Sequence, residues 1–171
     1  MGVAMHDTNL LKNLYTLLNE GKLDRPKFFQ MLARVVVQEV GCSRGSFWFY
    51  DGALQDKIIC ESLYDASDNQ WSNGMVLSED DYAPYFETMR EMRMIVAGDA
   101  RQHAATSCFN EGYFEPLNIY SLLDVGIEMD GSQIGIVCCE QTVEIKEWSQ
   151  TDVQYLKQVV AMVSLALKKL G

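Results

Sequence analysis

Apolar residues alternate at Leu123, Val125, Ile127 and Met129. After Asp130-Gly131 they resume, with Ile134, Ile136 and Cys138 on one parity and Gly135, Val137 and Cys139 on the other. A period of two marks strands, and Asp-Gly between two such runs marks a tight hairpin, because glycine accepts the positive φ of the turn. The stretch from Ile119 to Thr142 therefore reads as a hairpin. Its second arm is apolar on both parities, the pattern of a strand covered on both faces.

The rest of the chain arranges itself around this hairpin. Leu10, Leu14 and Leu17, with Leu11 and Leu18, recur at helical spacing over residues 9–20, and Asp7 or Thr8 is placed to cap that helix. Asp24 and Pro26 open a second helix with a buried stripe of Phe28, Leu32, Val35, Val36 and Val40, ended by Gly41. Ser46–Tyr50 is a strand, Asp51-Gly52 a turn, and Lys57–Asp65 a second strand. Simple alternation puts Ile58, Cys60, Ser62 and Tyr64 on one face of it, and Ile59, Glu61 and Leu63 on the other. Residues 66–78 are a polar loop with a short extended piece at Met75–Leu77. Ser78-Glu79-Asp80-Asp81 starts a helix, with acids at its positive end and Tyr85, Phe86 and Met89 as its apolar set. Met94–Ala97 is a short strand, and a short helix around Ser107–Phe114 stops at Pro116. The closing helix runs from about Thr151 to Leu170.

That last helix carries two stripes. Val153, Leu156, Val160, Val163, Leu167 and Leu170 follow a 3-4-3-4-3 spacing, which is a heptad seam. Tyr155, Val159, Met162 and Ala166 form a second stripe beside it. Two stripes need two partners. One is the chain's own sheet. The other is the entry helix or the same helix of a second chain. The second choice makes the protein a homodimer, and expects Glu at Val160 and Leu167 to separate the chains.

Ser121–Ile127, Asp130-Gly131, Ile134–Glu140 and Glu147-Trp148-Ser149 with Asp152, followed by an apolar helix, resemble the C-terminal half of a GAF domain. The two-part entry helix and the strand, Asp-Gly, strand order resemble its first half. Coverage is about residues 9–170. GAF domains are sensory modules of bacterial signal-transduction proteins. The resemblance implies an α/β fold of the α+β type. It has a central antiparallel sheet of five or six strands, the N- and C-terminal helices on one face, and pocket-forming helices and loops on the other. It implies one domain over residues 9–171, with residues 1–8 outside it, and a closing helix that passes a signal to an output domain. By resemblance the pocket draws on Trp48, Tyr64 and Trp71, on Tyr85 and Phe86, and on Cys108, Phe109, Tyr113 and Asp124. An aromatic wall suits a small flat or apolar ligand. The same rings are equally able to fill the cavity themselves, as in a GAF domain that serves only as a dimerising spacer. Both readings stay open, and no cofactor is singled out.

Composition narrows the partners. The formal charge is −10 with no basic cluster, which disfavours nucleic acid and anionic membrane surfaces. No uncharged apolar run approaches the ~20 residues of a membrane-spanning helix. The N-terminus lacks the basic start and apolar core of a signal peptide. The cysteine count is five, with no Cys-x-x-Cys, which fits a reducing cytosol. The expectation is a cytoplasmic protein.

Specific chemistries find little support in the sequence. Gly-rich phosphate loops are missing. His6 and His103 are the only histidines, too few for a zinc site. His103 falls near the pocket of the resembled family, where some members bind haem, yet a solvated loop histidine is the plainer reading. Phytochrome-type members attach bilin to a cysteine beside a histidine. Cys108 lies between Ser107 and Phe109, so packing is its plainer role. Cys138 and Cys139 point to opposite faces of one strand and cannot share a site. Free methionine-(R)-sulfoxide reductase, a GAF-fold enzyme, uses several pocket-loop cysteines, and here only Cys108 lies in a comparable stretch. The cyclic-nucleotide signature of phosphodiesterase GAF domains is not found. No catalytic residue is assigned.

Overall fold

The computed structural model describes residues 5–170. Helices α1 (Asn9–Asn19) and α2 (Arg25–Val40) lead into strands β1 (Arg44–Asp51), β2 (Lys57–Asp65), β3 (Gln70–Ser72) and β4 (Val76–Ser78). Then come α3 (Glu79–Met92) and β5 (Met94–Ala97). A 3-10 turn at Ser107–Phe109, a π-helical turn at Asn110–Phe114 and the short α4 (Glu115–Leu117) follow. The hairpin β6 (Ile119–Met129) and β7 (Ser132–Thr142) precedes α5 (Gln150–Leu170). All pairings are antiparallel in the order β3-β2-β1-β7-β6-β5, with β4 also on β2. The sheet has seven strands. The extra one is β3, whose residues are all exposed and carry no alternation to read.

Local chemistry explains the boundaries. Asp24 accepts the Lys27 N–H at 2.9 Å, and Gly41 closes α2 at φ 76°. Asp130 and Gly131, at φ 53° and 82°, make the two-residue turn between β6 and β7. At α5, Asp152 accepts the Ser149 N–H and Ser149 Oγ accepts the Asp152 N–H, a reciprocal capping box.

The sheet separates two cores. Helices α1, α2 and α5 cover one face, where Phe28, Phe29, Leu32, Phe47, Leu123, Val137, Leu156 and Val163 are packed. On the other face α3 and the 107–117 segment enclose Trp48, Ile58, Phe86, Phe109, Phe114, Ile136 and Cys138. Cys138 and Cys139 fall in different cores, as strand alternation requires.

Bulges alter the expected faces at two places. Phe47 pairs with Ser62, but Trp48 pairs with Cys60, so Glu61 is an extra residue in β2. Beyond it the parity is reversed. Ile58 and Cys60 face the second core, while Tyr64 sits in the helix-side core. A similar shift in the β6–β7 register leaves Ile134 unpaired and turns it to the helix side, away from Ile136 and Cys138.

The closing helix differs from the seam expectation. Val153, Leu156, Val163 and Leu167 are buried inside their own chain, and Val160 and Leu170 pack partly against the same core. The two stripes are both used: one meets β6, and the other meets α1 and α2. What α5 leaves outside is Gln150, Gln154, Lys157, Gln158, Ala161, Leu165, Lys168 and Lys169. His6 and Asp7, in the segment expected outside the domain, make contacts with α2 and α5. His6 lies between Glu39 (3.2 Å) and Asp152 (2.7 Å), and the Asp7 N–H donates to Glu39 at 2.7 Å. Residues 1–4, part of the segment expected outside the domain, lie outside the described residues. Among the described residues, no helix is long and apolar enough to cross a membrane.

Because Val163 is fully buried in the helix-side core, Val163→Glu should lower unfolding stability by about 3 kcal/mol or more. Leu54→Glu, at an exposed position, should stay within about 0.5 kcal/mol. Urea denaturation of the two variants checks this, and equal losses would contradict the burial pattern.

Candidate functional site

Between the second face of the sheet and the 107–117 segment lies a cavity lined by Trp48, Ile58, Leu77, Tyr85, Phe109, Tyr113, Phe114, Leu122, Asp124, Cys138 and Glu140. The sheet supplies its floor from alternate positions of β1, β2, β6 and β7. Tyr85 comes from α3, and Phe109, Tyr113 and Phe114 come from the 3-10 and π-helical turns. Space for the centre of a water molecule amounts to only about 20 Å³, room for roughly one water. The aromatic rings take the remaining volume: Phe109 lies 5.0 Å from Tyr85 and 5.5 Å from Phe114, centroid to centroid, and Tyr82 stacks on its outer side at 4.3 Å.

Two polar systems are buried in this wall. In the first, Arg44 donates from Nε to Glu140 Oε1 (3.0 Å), from Nη1 to Asp65 (3.3 Å) and from Nη2 to the Tyr113 hydroxyl (3.3 Å). Tyr113 donates in turn to Glu140 Oε1 at 3.3 Å. Burial works against the Arg44 charge, but Glu140 outweighs it and holds the guanidinium protonated above its ordinary range. In the second, the Tyr85 hydroxyl donates to Asp124 Oδ2. Asp124 Oδ1 has no hydrogen-bond partner among the described residues. Burial pushes the Asp124 carboxyl up to about 7, against the opposing pull of Cys138 and Tyr85. Burial, then the Asp124 charge, raises Tyr85 well above the usual phenol range.

A sequence profile described as GAF domain matches residues 24–167. The chain belongs to the GAF domain family. Solved structures agree in fold. The phycocyanobilin-bound GAF domain from a cyanobacterial phytochrome aligns at TM-score 0.80 and 13% identity, over 98% of this chain and 97% of that one. The GAF domain of an Acinetobacter phosphoenolpyruvate-protein phosphotransferase aligns at 0.70 and 11% identity, over 96% and 95%. The free methionine-R-sulfoxide reductase from Neisseria meningitidis, in complex with its substrate, aligns at 0.69 and 13% identity, over 99% and 96%. At these identities the likeness carries the fold. A comparison with curated proteins gave no match.

In this GAF domain the structure brings together Trp48, Tyr85, Phe109, Tyr113 and Asp124 of the sequence-expected pocket. Phe86 is fully buried in the same core but sits behind Tyr85, packing on Tyr50. Cys108 is half-buried beside the cavity, its thiol toward the Ala105 carbonyl. Tyr64 and Trp71 are not in the pocket. The Glu61 bulge turns Tyr64 to the helix side, where its ring lies 4.8 Å from Trp71. The Trp71 ring is partly exposed and donates from Nε1 to the Gln30 carbonyl on α2.

The Arg44–Glu140 pair escaped the sequence reading. Its signal was available: Glu140 follows Cys138 at the pocket-facing parity of a strand otherwise apolar, and Arg44 lies two residues before Ser46 on the same face. The thiols offer no activated nucleophile. Burial, then Glu140, pushes Cys60 up to about 12. Burial raises Cys138 well above its usual range and raises Cys108 too. Among the described residues no cluster of His, Cys, Asp and Glu is arranged to hold a metal ion.

A buried carboxyl that keeps its proton to about pH 7 binds protons more tightly folded than unfolded. Its contribution to stability is therefore full below about pH 4 and is lost as pH rises toward 7. Asp124→Asn removes that loss. The variant should gain stability over the parent between pH 5 and 8, by on the order of a few kcal/mol at the upper end. Parallel urea melts at the two pH values check the sign, and a gain that shrinks as pH rises would contradict it.

Proposed function

We propose that this GAF domain is the small-molecule-sensing module of a signal-transduction protein, with the cavity behind the sheet as its ligand pocket. The observation that carries the reading is Asp124 Oδ1, buried without a partner against an aromatic-walled cavity. A buried polar atom left unpaired costs free energy, and a pocket that exchanges ligand is one reason to retain it. Strand β6 links pocket to output. Its Leu122 and Asp124 face the cavity, while Leu123, Val125 and Ile127 lie in the core shared with α5. A ligand that binds one arrangement of β6 better than another shifts α5 by that difference in affinity.

In this reading the domain works as a homodimer paired through the exposed stripe of α5, around Ala161 and Leu165, since the heptad seam is used internally. A spacer without ligand is the second reading, favoured by how little room the rings leave. A cysteine-based reductase is weaker still, because the pocket thiols are shifted away from thiolate.

Native mass spectrometry of freshly purified protein tests the proposal. The expected result is a small added mass that vanishes under denaturing conditions and is unchanged in Cys108→Ser. Bare protein that also fails to bind any member of a small-metabolite library in a thermal-shift assay would favour the spacer.

A further inference from the structure

We infer that the cavity takes a small organic cation, its ammonium N–H groups on Asp124 and its apolar part against the rings of Phe109 and Tyr113; this rests on reading the cavity as a ligand pocket.

Charge pairing points to the class of ligand. Three charged side chains line or border the cavity. Glu140 and Arg44 satisfy each other at 3.0 Å, with Tyr113 bridging them. Asp124 has no cation. Only 2% of its surface is exposed, its Oδ2 accepts from Tyr85, and among the described residues its Oδ1 has no donor beyond the Cys138 thiol. The Cys138 thiol beside it is a weak donor. A ligand N–H donor completes this site, and a charged one also neutralises it. The neighbouring aromatic faces attract cations as well. An anion would be repelled by the ionised Asp124, since Arg44 is already taken by Glu140, and a neutral ligand leaves the ionised carboxylate unmatched.

The wall that must yield is the irregular one. Phe109 ends the 3-10 turn and Tyr113 sits in the π-helical turn, a local geometry found mostly as a single turn at functional sites. Its ends are tied. Thr106 Oγ1 donates to the Ala100 carbonyl at 2.6 Å, and Arg101 donates to the carbonyls of Ile119 (2.8 Å) and Phe114 (3.4 Å). In its middle Asn110 Nδ2 donates to the Arg101 carbonyl at 2.9 Å and the Tyr113 hydroxyl is held by Arg44 and Glu140, whereas Phe109 is held by ring packing against Tyr82 and Tyr85. Rotation of the Phe109 ring enlarges the cavity without breaking these ties.

Protonation gives a second readout. The groups facing Asp124 are Tyr85 from α3, Cys138 and Glu140 from β7 and Tyr50 from β1, with Arg44 beyond Glu140. The cation needs the ionised carboxylate, whereas the empty site holds its proton up to about 7. Binding therefore releases a proton at low pH, and affinity should rise about tenfold from pH 6 to pH 8.

The test is an NMR titration of the protein with n-butylamine, n-butanol and butyrate, which match in size and differ in charge. The cation assignment expects saturable shifts at Phe109, Tyr113 and Asp124 with butylammonium, weakened at least tenfold in Asp124→Asn and strengthened about tenfold between pH 6 and pH 8. Butanol or butyrate binding as tightly at those residues overturns the cation assignment and leaves the pocket standing. So does butylammonium binding that ignores both pH and Asp124→Asn. If that variant does not fold, the pH dependence of the parent decides. Saturation by none of the three overturns the pocket reading together with the cation.

Discussion

Strands β6 and β7 are covered on both faces along most of their length, so each residue from Ser121 to Ile127 and from Gly135 to Glu140 is buried on one side of the sheet or the other. That commitment is the constraint on which the other features depend. A side chain cannot leave its core without shifting the strand by one residue, and such a shift would exchange every neighbour. The helix-side core is uniformly apolar along β6: Leu123, Val125 and Ile127 meet α5. The opposite side of the same strand carries Leu122 and Asp124. One face is built for packing and the other tolerates a buried acid.

The buried polar groups of the second core differ in how completely they are matched. Arg44, Glu140 and Tyr113 form a closed set in which each charge has its counterpart. Such a set is sensitive to the loss of any single member, because the remaining charge is then buried alone. Asp124 is different. Its partner Tyr85 is neutral, and burial raises its affinity for a proton. A domain whose cavity had only a packing role would gain stability from an apolar residue there. The 3-10 and π-helical turns over the cavity supply the wall with the least regular hydrogen bonding.

Much of this architecture was legible before any coordinates. Alternation and the Asp130-Gly131 turn placed β6 and β7, helical spacing placed α2 and α5, and acids with Ser78 placed the start of α3. Trp48, Tyr85, Phe109, Tyr113 and Asp124 were gathered by resemblance to the GAF family rather than by any local pattern. The failures have identifiable causes. Simple alternation put Tyr64 on the same face of β2 as Ile58 and Cys60, and alternation fails at a bulge, which leaves no mark in the residues themselves. Trp71 lies on a strand with every side chain exposed. The α5 seam was correct as a spacing, but spacing does not say whose surface fills it.

The sequence by itself determined the elements, the two-faced hairpin, the net negative charge and the family. The elements and the hairpin follow from periodicities of two and 3.6 and from turn residues, which act over a few neighbours, the charge follows from composition, and the family follows from resemblance. The tertiary structure decided the rest. It sent both stripes of α5 into the chain's own core, because the entry helices α1 and α2, one of the two partners the spacing allowed, cover the stripe that the sheet does not. It paired Arg44 with Glu140 across 96 positions of sequence, and set Tyr85 against Asp124 across 39. Contacts at such separations depend on strand order and register, and no local rule carries them.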